Sequence, residues 1–161
     1  MAKKPAHPES QLQIQCVSWF RYTYPHLAPL FFAVPNGGKR NKAEAAIMKA
    51  EGITAGVSDL ILNIPSGRHT QLAIEMKDCT GTQSSAQKRY QRYAQAVGIK
   101  YIICRDFGTF TVQVKDYLES VNPLVIDELR KLHREDKELE VQEARRLYQK
   151  RCCNTKEKKT A

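Results

Sequence analysis

Two apolar runs with strand character flank a turn sequence near the middle of the chain. Residues 60–64 (LILNI) are apolar but for Asn63 and include the β-branched Ile61 and Ile64, residues 71–76 (QLAIEM) alternate over much of their length, and Pro65-Ser66-Gly67-Arg68-His69-Thr70 between them is turn chemistry. The pattern predicts an antiparallel hairpin. Upstream, residues 9–22 carry Leu12, Cys16, Trp19 and Phe20 on one helical face, widened by Ile14 and Val17, with Pro8 and Ser10 at the start and Pro25 beyond the end. Residues 30–34 read as a short strand, and residues 41–50 as an alanine-rich helix stopped by Glu51-Gly52. After a polar stretch at 78–85, Ala86, Tyr90, Tyr93, Ala94 and Val97 mark a helix that Gly98 closes. Residues 100–104 and 109–114 read as two further strands joined near residues 106–108.

A helix between the strands at 71–77 and 100–104 makes a βαβ crossover, so those strands should run parallel with a right-handed connection. The expected fold class is α/β, with a mixed central sheet flanked by helices and the hairpin at its centre. Beyond Pro123 the character changes: Val125, Leu129, Leu132, Leu139 and Leu147 share a helix face, and the rest is dense in charge of both signs. The predicted division is a domain over residues 1–122, a charged helix over 123–151 and a disordered tail over 152–161. Docking on the domain, pairing with a second copy and reaching along DNA would each produce such a helix.

With 161 residues, 42% of them hydrophobic, the chain can bury a core of its own. No apolar run reaches 18 residues and the start lacks a secretory signal, so no membrane partner and a cytoplasmic location are expected. Lys and Arg number 26 against 17 Asp and Glu, a formal charge of +9, which favours a polyanionic partner with nucleic acid as the default. Residues 1–122 carry 15 basic and 9 acidic groups, and residues 123–161 carry 11 and 8. Cys16, Cys79, Cys104, Cys152 and Cys153 form an odd set without C-x-x-C spacing, and His7, His26, His69 and His133 lack H-x₃₋₅-H spacing, which points away from disulfides and zinc.

Folding the hairpin about Gly67 and Arg68 places Asp59 opposite Met76. Glu75 and Lys77 are then same-face neighbours, and the opposite face is core. Two carboxylates converging with an ammonium beside them suit a hard cation such as Mg²⁺ (or Mn²⁺) that also takes oxygens from a phosphate. Lys77 would hold or help deprotonate the attacking water, or neutralise charge in the transition state. A solvated strand face would show the same Glu-x-Lys pattern. Glu9 in the first turn of a helix also suits the helix dipole. The loop Pro35-Asn36-Gly37-Gly38-Lys39-Arg40 lets a backbone approach a phosphate and adds two cations, which makes Asn36, Lys39 and Arg40 candidate DNA contacts, though a plain turn fits too. Lys88, Arg89 and Arg92 on the helix after Lys77 could touch DNA beside the site or be an ordinary solvated face.

With these residues in place, residues 8–118 resemble the VRR-NUC family of the PD-(D/E)XK nuclease superfamily, which includes small stand-alone phage and bacterial proteins. The resemblance is carried by Glu9-Ser10-Gln11-Leu12-Gln13, Pro35-Asn36-Gly37-Gly38-Lys39-Arg40, Gly52-Ile53-Thr54-Ala55-Gly56-Val57-Ser58-Asp59-Leu60, Glu75-Met76-Lys77 and Ser84-Ser85-Ala86-Gln87, in that order. It implies a restriction-endonuclease-like core in which Asp59 and Glu75 ligate the metal, Lys77 is catalytic, Glu9 approaches the metal from the first helix and Gln87 lies at the site's edge. Ser58 stands where the superfamily often has proline; that proline supplies no ligand, so activity is expected to survive. Members cleave branched DNA, and small ones are implicated in Holliday junction resolution, which implies a homodimer. The expected function is a Mg²⁺- or Mn²⁺-dependent DNA endonuclease, with a flap, fork or restriction-type nuclease, or a non-catalytic nucleic-acid-binding module, as the alternatives.

Overall fold

A computed structural model of the protein describes residues 8–35 and 42–157, and in it the chain falls into two compact units, Met1–Asn122 and Pro123–Ala161. In the first unit α1 (Pro8–Thr23) leads through a 3-10 turn (Pro25–Leu30) into β1 (Phe31–Ala33), and α2 (Lys42–Ala50) precedes β2 (Leu60–Leu62). Then come β3 (Leu72–Met76), α3 (Ser85–Ala96), β4 (Lys100–Cys104) and α4 (Phe107–Glu119). The four strands form one sheet in the order β1-β2-β3-β4. The first two pairings are antiparallel, and β3 pairs with β4 in parallel across the α3 crossover.

The hairpin forms with a register one residue away from the predicted one. Leu60 faces Ile74 and Leu62 faces Leu72, whereas the tip closes with a Ser66–His69 bridge. Four residue steps lead from Leu62 to Ser66 but only three from His69 to Leu72, so the first limb absorbs an extra residue. Continued to the strand end, that register sets Asp59 opposite Glu75 rather than Met76. Gly67 supplies the left-handed turn conformation (φ 54°) that an L side chain rarely adopts.

Both sheet faces are buried, which corrects the expectation of one core face. Leu60, Leu62, Leu72, Ile74 and Met76 alternate onto one face and are fully buried, as are Phe20 of α1, Phe31 of β1, and Phe110 and Val114 of α4; the Phe31 ring lies 4.1 Å from that of Phe20 and 6.3 Å from that of Phe110. On the other face Ile61, Ala73, Ala94 and Tyr101 form a second cluster, with Val34, Tyr90, Ile99 and Ile103 against it. Every residue of β3 is buried, including Glu75 at its open end. A strand covered on both sides stops alternating, and Ala73 between Leu72 and Ile74 is where that shows.

Residues 109–114 are not a strand. They lie inside α4, because the buried positions Phe110, Val114 and Tyr117 repeat at 4 and 3 residues. Asp106 caps the helix by accepting from the Thr109 backbone N–H and hydroxyl, both at 2.7 Å. The alternating stretch from Thr109 stops short of Tyr117, the residue that reveals the helical period. At the helix end the Tyr117 hydroxyl donates to the Ile64 carbonyl (2.6 Å), the Ser66 hydroxyl donates to the Tyr117 carbonyl, and the Gly67 N–H donates to the Ser120 carbonyl (2.9 Å). The hairpin tip is thereby fastened to α4.

The second unit is one helix, α5 (Pro123–Glu157), which runs six residues past the 151 boundary drawn from the sequence, into the segment predicted to be disordered. Asp127–Arg130 (3.1 Å), Glu128–Lys131 (3.9 Å) and Lys137–Glu140 (2.7 Å) pair along its surface. Leu132, Leu139 and Leu147 are exposed on it. Among the described residues no helix is long and apolar enough to cross a membrane.

Placing 109–114 in a helix separates two valines that a strand would have put on one face. Val114 is fully buried and Val112 is 54% exposed. Val114→Ala is expected to cost about 2 kcal/mol in a urea-unfolding measurement and Val112→Ala less than about 0.5 kcal/mol. Equal losses would return the segment to a strand.

Candidate functional site

The open ends of β2 and β3 gather three of the predicted residues. Asp59 precedes β2, and its main chain is fixed by the Val34 N–H donating to its carbonyl (2.9 Å). Its side chain reaches across to β3, where Oδ2 accepts from the Met76 N–H (2.8 Å). Glu75 has no exposed surface and Lys77 is 8% exposed, and the Lys77 Nζ donates to Glu75 Oε1 at 2.6 Å. The two share a face as the alternation predicted, since they sit two residues apart on one extended segment. Glu9 arrives from α1 and accepts from the Asp78 N–H through Oε1 (3.0 Å).

A carboxylate buried as deeply as Glu75 requires donors on both oxygens. Oε1 receives Lys77 and the Gln87 side-chain amide, and Oε2 receives the Tyr101 hydroxyl (3.1 Å). Burial nevertheless raises the Glu75 pKa, opposed by the Lys77 hydrogen bond and reinforced by the charge of Asp59. Burial raises that of Asp59 too, opposed by the Met76 N–H and Lys77 and reinforced by Glu9. For Lys77 burial acts downward, but the hydrogen bond to Glu75 and the charges of Glu75, Glu9 and Asp59 outweigh it, so its pKa is raised and it stays an ammonium. Three carboxylates thus face one ammonium, and negative charge is in excess.

Gln87 joins the site through the start of α3. Ser84 is the N-cap: its hydroxyl accepts from the Gln87 N–H (3.2 Å), while Gln87 Oε1 accepts from the Ser84 N–H (2.8 Å). The other end of the same amide donates to Glu75. The turn is held by Gly56 at φ 88°, where an added Cβ would sit 2.5 Å from the Ala86 carbonyl carbon and 2.7 Å from the Gln87 nitrogen. The loop before Asp59 and the first turn of α3 are therefore in backbone contact. Gly81 is confined by side chains rather than backbone, with Asp78 Oδ1 at 2.9 Å, Glu9 Oε1 at 3.1 Å and Lys77 Cδ at 3.2 Å from where a Cβ would sit.

Sequence reasoning missed Tyr101 and Arg105. Tyr101 belongs to the site because the parallel register sets Ala73 beside Tyr101 and Glu75 beside Ile103, on one face. Pairing of these strands was legible, but their register was not. Gln83 supports it, donating to Gln91 Oε1 (2.9 Å) and to the Tyr101 oxygen (3.4 Å). Arg105 follows β4 as Lys77 follows β3, and its guanidinium donates to the carbonyls of Asp78 (2.7 Å) and Gly81 (2.8 Å), clamping the loop beside Glu9. Lys88, Arg89 and Arg92 lie exposed on α3 and do not enter the cluster. Asn36, Lys39 and Arg40 fall outside the described residues.

Among the described residues no three His, Cys, Asp or Glu side chains form a ready-made metal cage. The donor set still fits Mg²⁺, which needs only one or two carboxylates and takes its other oxygens from water and phosphate. Asp59 Oδ1 has no protein partner among the described residues, and the excess negative charge beside it is what a divalent cation would neutralise.

No family model matches the sequence. No curated protein matches it either. A solved structure described as a "VRR_NUC domain protein" superposes with a TM-score of 0.64 at 22% sequence identity, covering 75% of this chain and 94% of that one. At that identity the likeness establishes the fold, and the first unit has a restriction-endonuclease-like architecture: a mixed sheet flanked by helices, with its acidic residues at the open ends of the central strands.

The contact at Gly56 makes a stability prediction. Gly56→Ala is both strained in φ and opposed by the α3 backbone, so it is expected to cost roughly 2 kcal/mol or more in chemical denaturation. Gly52→Ala, also at positive φ (96°) but with nothing within 4 Å, should cost less. The reverse order would disprove the backbone contact.

Proposed function

We propose that this chain is a divalent-metal-dependent DNA endonuclease that hydrolyses phosphodiester bonds in branched DNA, with four-way (Holliday) junctions as the leading substrate. The observation that supports it most is the convergence of Asp59 and Glu75 at the ends of neighbouring strands, with the Lys77 ammonium on the Glu75 carboxylate. The formal charge of +9 adds affinity for a polyanion.

Asp59 and Glu75 would hold Mg²⁺ or Mn²⁺, with Glu9 beside them. When bound, the ion supplies positive charge that polarises the phosphate and acidifies water. Lys77 places a fixed positive charge where negative charge grows on the phosphate oxygens as hydroxide attacks phosphorus and the 3′ oxygen leaves. Gln87 and Tyr101 hold Glu75 in place through hydrogen bonds to its two oxygens. A binding module without chemistry has no use for carboxylates that repel the phosphates it must hold.

The test uses labelled four-way junction with Mg²⁺ or Mn²⁺ and compares the wild-type protein with Asp59→Ala and Lys77→Ala, each checked for folding by circular dichroism. Both substitutions are expected to slow nicking by about a hundredfold or more. Equal nicking by all three proteins would falsify the site. Flap, splayed-arm and linear duplex DNA run alongside separate the substrate classes: symmetric paired nicks in the junction mark a resolvase, with light scattering expected to give a homodimer, and cuts at a recurring duplex sequence mark a restriction-type enzyme. Affinity should fall linearly in log–log terms with salt, since backbone contacts dominate.

A further inference from the structure

One face of α3 carries a feature that phosphodiester hydrolysis does not use. Along α3 the sequence Lys88-Arg89-Tyr90-Gln91-Arg92-Tyr93 interleaves cations with aromatic residues, and Arg89, Tyr93 and Val97, spaced four residues apart, share an exposed side of the helix. Tyr90 turns inward, its ring 6.2 Å from that of Tyr101. Tyr93 does not follow it: the side chain is 70% exposed, and Val97 one turn further on is 66% exposed. Beside them Thr54, Ala55, Ala86, Arg89, Tyr90 and Tyr93 line a groove of about 290 Å³. It lies one residue from the candidate site along α3: Ala86, one of its lining residues, has its backbone against Gly56, and the next residue, Gln87, donates to Glu75.

An exposed aromatic ring on a helix gains nothing from the core. What marks Tyr93 is its place in the groove beside Arg89, with most of its ring free to stack on a flat partner. Arg89 shares the groove and is exposed, with no ion-pair or hydrogen-bond partner among the described residues, and Lys88 and Arg92 on the same helix are in the same condition. A ring for stacking with guanidinium charge beside it is the combination that holds single-stranded nucleic acid, where bases stack on aromatics and cations track the backbone. Paired bases inside a duplex have no free face to offer Tyr93.

We propose that this groove binds an unpaired nucleotide next to the scissile position, its base stacked on Tyr93 and its phosphate against Arg89. The inference rests on the DNA-binding part of the function proposed above and goes beyond it: the site would prefer DNA whose pairing is interrupted beside the cut.

The test measures binding without cleavage, so that it is decided separately from the nuclease reading. Full-length protein in EDTA is titrated into oligonucleotides carrying 2-aminopurine either in an unpaired nucleotide at a branch or within a continuous duplex, and the fluorescence of the probe is followed. Wild-type protein is expected to quench the unpaired probe and leave the paired one unchanged. Tyr93→Ala should weaken binding to the branched DNA about tenfold and abolish the quench, with duplex binding unaffected. Tyr93→Phe, which keeps the ring, should behave as wild type. Quenching that survives Tyr93→Ala, equal loss on branched and continuous DNA, or no quenching by the wild-type protein each overturns the proposal. Quenching by a protein that never nicks DNA in Mg²⁺ would leave the unpaired-nucleotide site at Tyr93 standing and remove the nuclease, and with it any scissile position beside that site.

Discussion

A carboxylate with no exposed surface constrains everything around it. Glu75 lies at the end of a strand covered on both faces, and a charge in that position is tolerated only if several donors converge on it. Lys77 directly follows the same strand, Tyr101 comes from the parallel neighbour and Gln87 from the helix that connects the two. The βαβ unit is therefore more than a scaffold near the site, because each of its three elements contributes a donor to one carboxylate. Changing the β3–β4 register would leave Oε2 of Glu75, whose donor is Tyr101, unpaired in a dry environment, at a cost of kilocalories.

The choice of glutamine at position 87 follows from the same requirement. A capping box accepts either glutamate or glutamine three residues after the cap, since both offer an oxygen to the N-cap N–H. Only the amide has a donor left for a second task. Its oxygen closes the turn at Ser84 while its nitrogen donates to Glu75. Glutamate there would cap α3 equally well and set a like charge against Glu75 in a low-dielectric pocket. Gly56 belongs to the same arrangement, because only a residue without Cβ lets the loop carrying Asp59 rest on the α3 backbone at Ala86 and Gln87.

How much of this was legible in the sequence depended on the range of the signal. The hairpin, α1, α3 and β4 were readable because their apolar spacing, turn residues and stop signals are local, and the alternation of Glu75 and Lys77 needed only the period of a strand. The register was not: the one-residue offset goes with an uneven hairpin loop whose tip is pinned by Tyr117 and Ser120, at the end of α4 and about fifty positions away. The reading of 109–114 as a strand failed for a related reason. Thr109, Thr111, Val112 and Val114 favour extended backbone, but the cap from Asp106 and the burial of Phe110, Val114 and Tyr117 decide the outcome. Tyr101 was invisible because a hydroxyl at the right height on a neighbouring strand is a matter of register alone.

The electrostatics of the cluster distinguish it from a purely structural ion pair. Were Lys77 present only to neutralise Glu75, one carboxylate would meet one ammonium, and a well-packed apolar pair would serve stability equally well. Instead Asp59 and Glu9 lie close enough that each disturbs its neighbours: both add to the pull that keeps Lys77 protonated, Glu9 raises the pKa of Asp59, and Asp59 raises that of Glu75. Such an arrangement opposes the fold by concentrating like charge where water screens it poorly, and nothing in the packing of β2, β3 or α1 requires it. Residues that cost stability without serving the core mark the places where a protein meets something else. What remains uncompensated beside Lys77 is negative charge, which sets these ends of β2 and β3 apart from the apolar packing around them.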